Sequence, residues 1–568
     1  MKIKVLFAVL PIVAVMLVAA SCSNDIDGIL TQTSEANVKK ATPFTVKVNT
    51  RVSTRATLNA DLDNYVFEAG DKLYVQNTDG SVYGTLTLND ADAGKSTDAS
   101  FTGELTGEVS DATELTAVLK STGDVIVQVG SDNKVTGYNY PVGAIAATPE
   151  EAIRKYSAFE GRSTYAAHSF TLSQQSSFIS FEVALIDGTS AGTSIDVNIS
   201  ASDDAISREG STETVMESDV MKARFVAAFQ SGTVLTKAIV IQLSDYPKLT
   251  FGLSADLEME ANNIYMISKR LVDLGTLAAD FTAQSGDLLF GAQSSGYNVK
   301  IADKAKVTLS GAVIQIPDGV EKAAIQCLGD ATLIVEGESN EAVSGESEGC
   351  RSGVFVPNNK TLTIKGSGKM TAQGGMSDYG EGGAGIGAGS DGCGNIVIDM
   401  SETGSITAVG KKYAAGIGGS SLASCGDITI LGGTVYGTGG ENAPGIGCGD
   451  DSDCGVITLS GGNIAAKAGS NAKDAVGNGG VVDDEWVVDD EVGGKCTKVE
   501  IVSGVKSLTL MIDAESGKVT HFINATVIVI AGQVIDTETG DDVLAVNNAI
   551  ISTFSARWQS NTWSFTGH

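Results

Sequence analysis

Residues 384–410 read AGIGAGSDGCGNIVIDMSETGSITAVG, and two closely related stretches follow them. These are AGIGGSSLASCGDITILGGTVYGTGG at 415–440 and PGIGCGDDSDCGVITLSGGNIAAKAG at 444–469. The central Ile386, Ile417 and Ile446 are 31 and then 29 residues apart, and each copy continues into a short β-branched run. A repeat of this length with glycine corners predicts stacked coils of short parallel strands.

We therefore predict an all-β protein whose residues 273–500 form a right-handed parallel β-helix, with coils about 4.8 Å apart. The isoleucines of each copy would point inward, because an apolar residue at an equivalent place in every coil builds a continuous core. The predicted ladders are Ile386, Ile417, Ile446 and Ile396, Ile428, Ile457.

The segment 383–388 also fits G-x-G-x-x-G/A, the pattern of a dinucleotide-binding loop. That loop needs a strand before it and a helix after it. Here MSDYGEG at 376–382 is not strand-like, and GNIVID at 394–399 predicts a strand. Because the motif also recurs in sister copies, we exclude a nucleotide-binding site. The sequence specifies no cofactor, and calcium is the one candidate.

All seven cysteines that follow Cys22 lie in the second half of the chain. Three of them, Cys393, Cys425 and Cys454, occupy equivalent places in the repeat. We expect most of these thiols to be free and buried as small apolar groups. Cys448 and Cys454 bracket one loop and are the best candidates for a disulfide.

Two acidic clusters raise the question of a ligand. Asp450, Asp451 and Asp453 supply hard oxygen ligands of the kind that calcium prefers, and the alternative is a solvated turn. The stretch VVDDEWVVDDEV at 481–492 predicts a capping hairpin, with Trp486 as a sugar-stacking platform in the alternative interpretation. Residues 501–568 continue with patterns typical of β-strands and would cap the last coil.

The N-terminus reads MKIKVLFAVLPIVAVMLVAASC, with an apolar run too short to cross a bilayer comfortably. Small residues directly before Cys22 resemble the lipobox of bacterial lipoproteins. The resemblance implies a signal peptide at 1–21 and lipidation of Cys22, and we take 22–42 as a linker. The following SNDID at 23–27 resembles the short acidic tag that sends some lipoproteins to the outer cell surface, which implies an outer-membrane, surface-exposed protein. An ordinary cleaved signal is the alternative.

The chain carries 38 Lys and Arg against 69 Asp and Glu, a formal net charge of −31. Binding nucleic acid relies on neutralising phosphates with basic side chains, so we exclude nucleic acid as a partner.

Residues 43–272 alternate polar and apolar positions between Gly, Asn and Asp turns, which predicts antiparallel sheets. This half resembles the fimbrillin family of type V pilus subunits. The matching motifs are TRA at 54–56, FEAGDKLYV at 67–75, FTGEL at 101–105, YNYP at 138–141 and LEMEANNIYMISKRL at 257–271. The resemblance implies transthyretin-like β-sandwich lobes at about 43–165 and 166–272, adhesion or pilus assembly, and fimbrial subunits as partners.

In polymerising members of that family, an arginine-specific protease removes the first strand and a neighbour's strand fills the groove. The resemblance implies cleavage at Arg51 or Arg55, after a strand in which Phe44, Val46 and Val48 share one face. The alternative, which we favour, is a permanent first strand with both arginines solvated.

Residues 297–375 resemble a carbohydrate-binding β-helix family. The resemblance rests on KVTLSGAVIQIPDG at 306–319 and GVFVPNNKTLTIKGSGKMTA at 353–372. It implies non-catalytic binding of acidic polysaccharide, sometimes with calcium.

These patterns favour a lipid-anchored adhesin or fimbria-associated protein that binds a glycan or surface ligand through its β-helix. The first alternative is a polysaccharide-capture lipoprotein for nutrient uptake, and the second is a polysaccharide lyase or hydrolase. Between residues 290 and 500 the sequence has one arginine, Arg351, and no histidine. A lyase needs a basic group to remove a proton, so we expect no enzyme.

Overall fold

The computed structural model describes residues 41–51, 65–201, 205–253, 255–261, 263–472, 474–480, 494–511, 523–535, 555–559 and 562–566. Strands dominate these ranges, beside one α-helix, α1 (Pro149–Tyr156), and short 3-10 turns at Asp90–Asp92, Tyr165–Ala167 and Leu274–Thr276. The all-β prediction is confirmed. Helix α1 begins where Thr148 Oγ1 accepts a hydrogen bond from Glu151 N at 3.2 Å, with Pro149 in its first turn.

The first lobe is a closed barrel of seven strands in the order β1-β10-β9-β5-β2-β3-β4. Its strands are β1 (Ala41–Arg51), β2 (Lys72–Gln76), β3 (Tyr83–Leu88), β4 (Ala99–Thr106), β5 (Glu114–Lys120), β9 (Phe159–Thr164) and β10 (Ser169–Gln174), with β6 (Val127–Val129), β7 (Val135–Tyr138) and β8 (Ile145–Ala146) outside the ring. Strand β1 closes the ring because it pairs antiparallel with β4 and parallel with β10. The barrel thus includes β10, which lies past residue 165.

The inward face of β1 is the one that the sequence pattern predicts. Phe44, Val46 and Val48 are each at most 2% exposed and belong to the barrel core. That core is rich in aromatic rings, and Phe67 and Phe101 meet edge to face with centroids 5.4 Å apart.

The second lobe packs two sheets on each other. Its strands are β11 (Ser176–Ile186), β12 (Ser194–Ala201), β13 (Ile206–Glu217), β14 (Val220–Gln230), β15 (Val234–Leu235), β16 (Ala238–Leu243), β17 (Leu249–Gly252), β18 (Leu257–Glu258) and β19 (Ile264–Asp273). The long β13 pairs with β12 in one sheet and with β14 in the other. Phe181 and Phe225 stack in the core between them, with centroids 5.0 Å apart.

Residues 281–530, which we call the coil stack, form three parallel stacks of short strands. The first face contains β23 (Ala305–Gln315), β25 (Ala331–Glu336), β28 (Thr361–Gly366), β31 (Asn395–Met400), β34 (Ile428–Gly432), β37 (Cys454–Leu459), β40 (Cys496–Ile501) and β43 (Ile528–Ile530). The second contains the end of β23, then β26 (Asn340–Val343), β29 (Lys369–Gln373), β32 (Ser405–Val409), β35 (Thr434–Thr438), β38 (Gly462–Lys467) and β41 (Val505–Met511). The third contains β20 (Phe281–Ala283), β22 (Val299–Ile301), β24 (Ile325–Cys327), β27 (Val354–Phe355), β30 (Ile386–Gly387), β33 (Ile417–Gly418), β36 (Ile446–Gly447), β39 (Val476–Gly477) and β42 (Ile523–Asn524).

Both predicted isoleucine ladders are confirmed. Ile386, Ile417 and Ile446 are register partners on the third face, and Ile396, Ile428 and Ile457 are partners on the first. All six side chains are 0% exposed. The coils therefore share one continuous apolar core.

Glycine is required where the third face turns. Gly418 has φ +134°, and a Cβ there would lie 1.9 Å from the carbonyl oxygen of Gly447 in the next coil. Only a residue without a side chain fits so close a backbone approach. The recurring Gly-Ile-Gly is thus an architectural feature.

Acidic and amide side chains at one corner join successive coils. Asp303 Oδ1 accepts a hydrogen bond from Asp330 N at 3.0 Å, and Asp330 Oδ1 accepts one from Thr361 N at 2.9 Å. Further along, Asn395 Oδ1 accepts from Asp427 N at 2.8 Å. Each side chain satisfies a backbone donor one coil away, so part of the acidic composition is structural.

The second lobe continues directly into the coil stack. Strand β19 pairs in parallel with β21 (Asp287–Gln293), which in turn pairs with β23. Across this junction Arg270 donates to both oxygens of the buried Asp287 carboxylate, from Nε at 2.8 Å and from Nη2 at 2.6 Å.

At the other end the pairing changes from parallel to antiparallel. Strand β43 pairs with β44 (Gln533–Ile535), and β41 pairs with β46 (Thr562–Thr566), which also pairs with β45 (Ser555–Gln559). Antiparallel hairpins interrupt the addition of further parallel coils at these strands.

The seven described cysteines are all free and buried, so the predicted Cys448–Cys454 disulfide is wrong. Cys454 is instead the register partner of Cys496 in the next coil. Contacts with the thiols of Cys448 and Cys454 lower the pKa of Cys496. All seven thiols except that of Cys350 pack as part of the apolar core.

Candidate functional site

An open groove of about 430 Å³ lies where the strands of the second face end. Five successive coils contribute to it, through Ser294, Ile316, Ser344, Gly375 and Lys411. We call it the coil groove. With coils about 4.8 Å apart, it runs along the axis of the stack over about 20 Å.

Strict parallel register aligns residues of successive coils along the groove, with two amides separated by one valine. Gln315, Val343 and Gln373 are successive partners on the second face, so their side chains leave the stack one above another. Gln315 Nε2 donates to Glu341 Oε2 at 3.0 Å, at the groove's margin. The amides of Gln315 and Gln373, two coils apart, and the carboxylate of Glu341 offer both donors and acceptors to a ligand.

The groove carries charges of both signs. Asp318 and Glu346 line it together with Lys411. Asp318 Oδ1 accepts a hydrogen bond from Glu346 N at 2.9 Å, which leaves the Glu346 carboxylate exposed at the rim. This mixture suits a polar ligand with hydroxyl groups.

A fixed loop presents an aromatic ring close to the groove. Tyr379 is 87% exposed and lies three residues after Met376, a lining residue. The loop is held by hydrogen bonds from Glu381 N to Ser377 Oγ at 3.0 Å and from Asp378 N to Ser347 O at 2.9 Å. An exposed ring on an anchored loop loses little conformational freedom when it binds.

The three predicted calcium ligands are separated by their contacts. Asp450 accepts a hydrogen bond from Asn442 Nδ2 at 3.4 Å, whereas Asp453 Oδ1 accepts one from Lys495 N at 3.0 Å. Asp451 is exposed on a turn with φ +50°. Within the part of the chain that the structure describes, no three His, Cys, Asp or Glu side chains form a group that could hold a metal ion. Calcium binding at these aspartates stays a prediction.

Several predicted site residues lie outside the described residues, namely Cys22, Arg55 and Trp486. Arg51 is the last residue of β1, where its backbone is the register partner of Ser173.

Two of the basic groups available to a lyase in the coil stack pair with carboxylates. Arg351 pairs with Glu321, and Lys300 pairs with Asp280 at 3.2 Å. In the described ranges, no helix is both long enough and apolar enough to span a membrane.

The sequence matches no family model and no curated protein. Solved structures give similarities at 10–11% identity. A putative cell adhesion protein from Bacteroides ovatus has a TM-score of 0.28 and 10% identity, over 41% of this chain and 93% of the other. The fimbrial anchor protein Mfa2 from Porphyromonas gingivalis has a TM-score of 0.25 and 11% identity, over 40% and 91%.

A fimbrial protein from Bacteroides ovatus has a TM-score of 0.22 and 11% identity, over 42% of this chain and 51% of its own length. These neighbours carry the names of adhesins and fimbrial proteins. At such low TM-scores the similarities carry no inference about the function of this chain.

The sequence pattern did not identify the residues of the coil groove. Gln315 lies in the quoted stretch 306–319 and Tyr379 in the quoted stretch 376–382, whereas Gln373 lies outside the quoted stretches. None of the three was singled out, because the repeat constrains inward positions and corners only. Their relation becomes visible once the register places residues 315, 343 and 373 on one line.

Proposed function

We propose that this chain is a non-catalytic surface adhesin or fimbria-associated protein that binds a polysaccharide along the coil groove. The observation that carries the proposal is the groove built by five successive coils. A periodic polar groove fits a periodic polar ligand better than it fits a compact small molecule.

The proposal assigns different tasks to the two halves of the molecule. The coil stack, which we infer to be a right-handed parallel β-helix, displays the groove. The barrel and second lobe, which we infer to be related to transthyretin-like fimbrillin lobes, connect the stack to the cell surface or to fimbrial subunits. Lipidation of Cys22 would anchor the chain in the outer membrane, and a Cys22→Ala variant should then leave the membrane fraction.

Polysaccharide capture for nutrient uptake would use the same groove. Growth separates the two roles, because a strain lacking an adhesin attaches less but grows normally on the bound polysaccharide. A strain lacking a capture protein grows poorly when that polysaccharide is the sole carbon source.

An array of neutral, carboxylated and sulfated polysaccharides, probed with the full chain, tests binding. We expect retention of at least one neutral polysaccharide, with the same retention in calcium and in chelator. Substituting Gln373→Ala and Lys411→Ala together should reduce retention about tenfold, because two hydrogen-bonding groups of the groove are lost.

A matched control is Lys506→Ala, which removes a lysine that pairs with Glu402 on the stack outside the groove. It should bind like the parent chain. Failure of every polysaccharide to bind would refute the glycan assignment, and release of oligosaccharides would refute a non-catalytic role.

A further inference from the structure

A second, smaller cavity of about 200 Å³ lies on the coil stack and shares no lining residue with the coil groove. We call it the Phe355 pocket. Its volume is below the ~300 Å³ at which typical small-molecule pockets begin, so it suits one ring-sized group.

The pocket lies where the outward-facing residues of the third face change from large side chains to glycine. Gln326 and Phe355 are register partners, and the next partner of Phe355 is Gly387. Phe355 is the outward residue of β27, only partly buried, and is not part of the stack's apolar core. Gly389 lines the pocket beside it, and a Cβ there would lie 2.9 Å from Cys350 O.

Planar polar groups surround this ring. Arg351 pairs with Glu321, and both line the pocket together with Gln326, Ser390 and Asp391. Two further polar atoms in its wall, Nε of Arg351 and Oγ of Ser352, are buried without a hydrogen-bond partner. Hydrogen-bonding capacity therefore remains unused at this place.

Both cations that line the pocket are paired with carboxylates. Arg351 is neutralised by Glu321, and Lys322 donates to Asp280 Oδ1 at 2.6 Å. Asp391 adds a negative charge, in a chain of formal net charge −31. An anionic ligand would find no unpaired cation among the described lining groups, so an uncharged ligand is favoured.

We infer that the Phe355 pocket binds a single uncharged sugar ring, with the apolar face of the ring on Phe355. Its hydroxyl groups would hydrogen-bond to the Arg351–Glu321 pair and to Gln326. A sugar ring has an apolar C–H face and a polar rim, and an aromatic ring beside planar polar groups matches both. The site shares its ligand class with the proposed function but none of its residues.

Calorimetric titration of the full chain with methyl glycosides of glucose, galactose and mannose, and with the corresponding uronic acids, tests the inference. We expect saturable binding of at least one neutral glycoside and weaker binding of its uronic acid. Phe355→Ala should weaken binding about tenfold, because the apolar contact is lost. Phe355→Tyr should retain binding.

Two further variants keep the result interpretable. Gln326→Leu should weaken binding, and it tests the pocket even if Phe355→Ala destabilises the stack. Gln373→Ala, in the coil groove, should bind the glycoside like the parent chain. Absence of saturable binding, equal binding of the uronic acid, or equal binding by both pocket variants would overturn the inference.

The outcome is separable from the fate of the coil groove. Glycoside binding without retention of any polysaccharide would support the Phe355 pocket and refute the proposed function. Polysaccharide retention without glycoside binding would refute the pocket and leave the coil groove standing.

Discussion

The barrel and the coil stack bury their apolar residues in opposite ways. The barrel closes a single ring of strands around large aromatic side chains such as Phe67, Phe101 and Phe170. The described core of the coil stack contains Ile, Val, Leu, Ala, Met and Cys, and no fully buried aromatic ring. The barrel core is built from different side chains at each position, whereas the core of the coil stack repeats similar side chains from one coil to the next.

This difference explains where a binding site can form. Each barrel strand is held by two neighbours in a closed ring, so altering one strand affects the whole ring. Each coil contacts mainly the coils next to it, and stability is roughly a sum of such neighbour terms. Outward positions of the stack are therefore free to vary, and both candidate sites lie there.

The largest expected effect is an aromatic truncation in the barrel. Phe101→Ala should cost about 3–5 kcal/mol, whereas Ile417→Val in the stack should cost about 0.5–1.5 kcal/mol. Hydrogen exchange resolved by peptide would show lost protection across residues 41–174 for Phe101→Ala, and only in neighbouring coils for Ile417→Val. Loss of protection over equally wide regions in both variants would contradict the contrast between the barrel and the coil stack.

The second largest expected effect is a pH dependence of stability in the first lobe. Burial raises the pKa of Asp124 to about 6, although its Oδ1 accepts from Ile126 N. The folded carboxyl holds its proton more tightly than the unfolded one. The protonated carboxyl therefore contributes to the free energy of unfolding in full below pH about 4, and this contribution is lost as the pH rises through about 6. Its size is on the order of 3 kcal/mol.

The check compares Asp124→Asn with the parent chain by denaturant unfolding at pH 4 and at pH 7. The variant should gain stability relative to the parent as the pH rises. A difference that stays constant between the two pH values would refute the raised pKa.

The junction between the lobe and the stack should show an intermediate effect. Arg270→Ala leaves the Asp287 carboxylate, 2% exposed, without its charged partner. We expect a loss of about 2 kcal/mol, since Arg270 itself is one third exposed. Thermal unfolding would measure it, and Arg270→Ala with Asp287→Ala should recover part of the loss. No recovery would show that the charge is not the cause.

The smallest effect should come from an ion pair on the surface of the stack. Lys506 and Glu402 pair with side chains more than half exposed, so solvent screens them. Lys506→Met should change stability by less than about 0.5 kcal/mol, as measured by denaturant unfolding. A loss above about 1 kcal/mol would mean that the surface of the stack is less tolerant than we infer.

The repeat made the stack predictable because three copies share inward isoleucines and corner glycines. The barrel was predictable only as a set of alternating strands. Its closure depends on the pairing of β1 with both β4 and β10, which lie far away in sequence. Local patterns carry no information on such partners.

The sites were less predictable than the fold. The acidic cluster at 450–453 suggested calcium, but Asp450 accepts from Asn442 of its own coil and Asp453 accepts from Lys495 of the next coil. Conversely, the sequence singled out neither Gln373 nor Phe355 as a site residue, although Phe355 lies in the quoted stretch 353–372. Their neighbours come from coils about 30 residues away, so only the register brings them together.

The most direct test of the account is hydrogen exchange of the full chain, with and without the neutral polysaccharide best retained on the array. We expect added protection within residues 294–411, where the coil groove lies, and unchanged exchange in the barrel at 41–174. Protection confined to the barrel, with none across the coil groove, would contradict it.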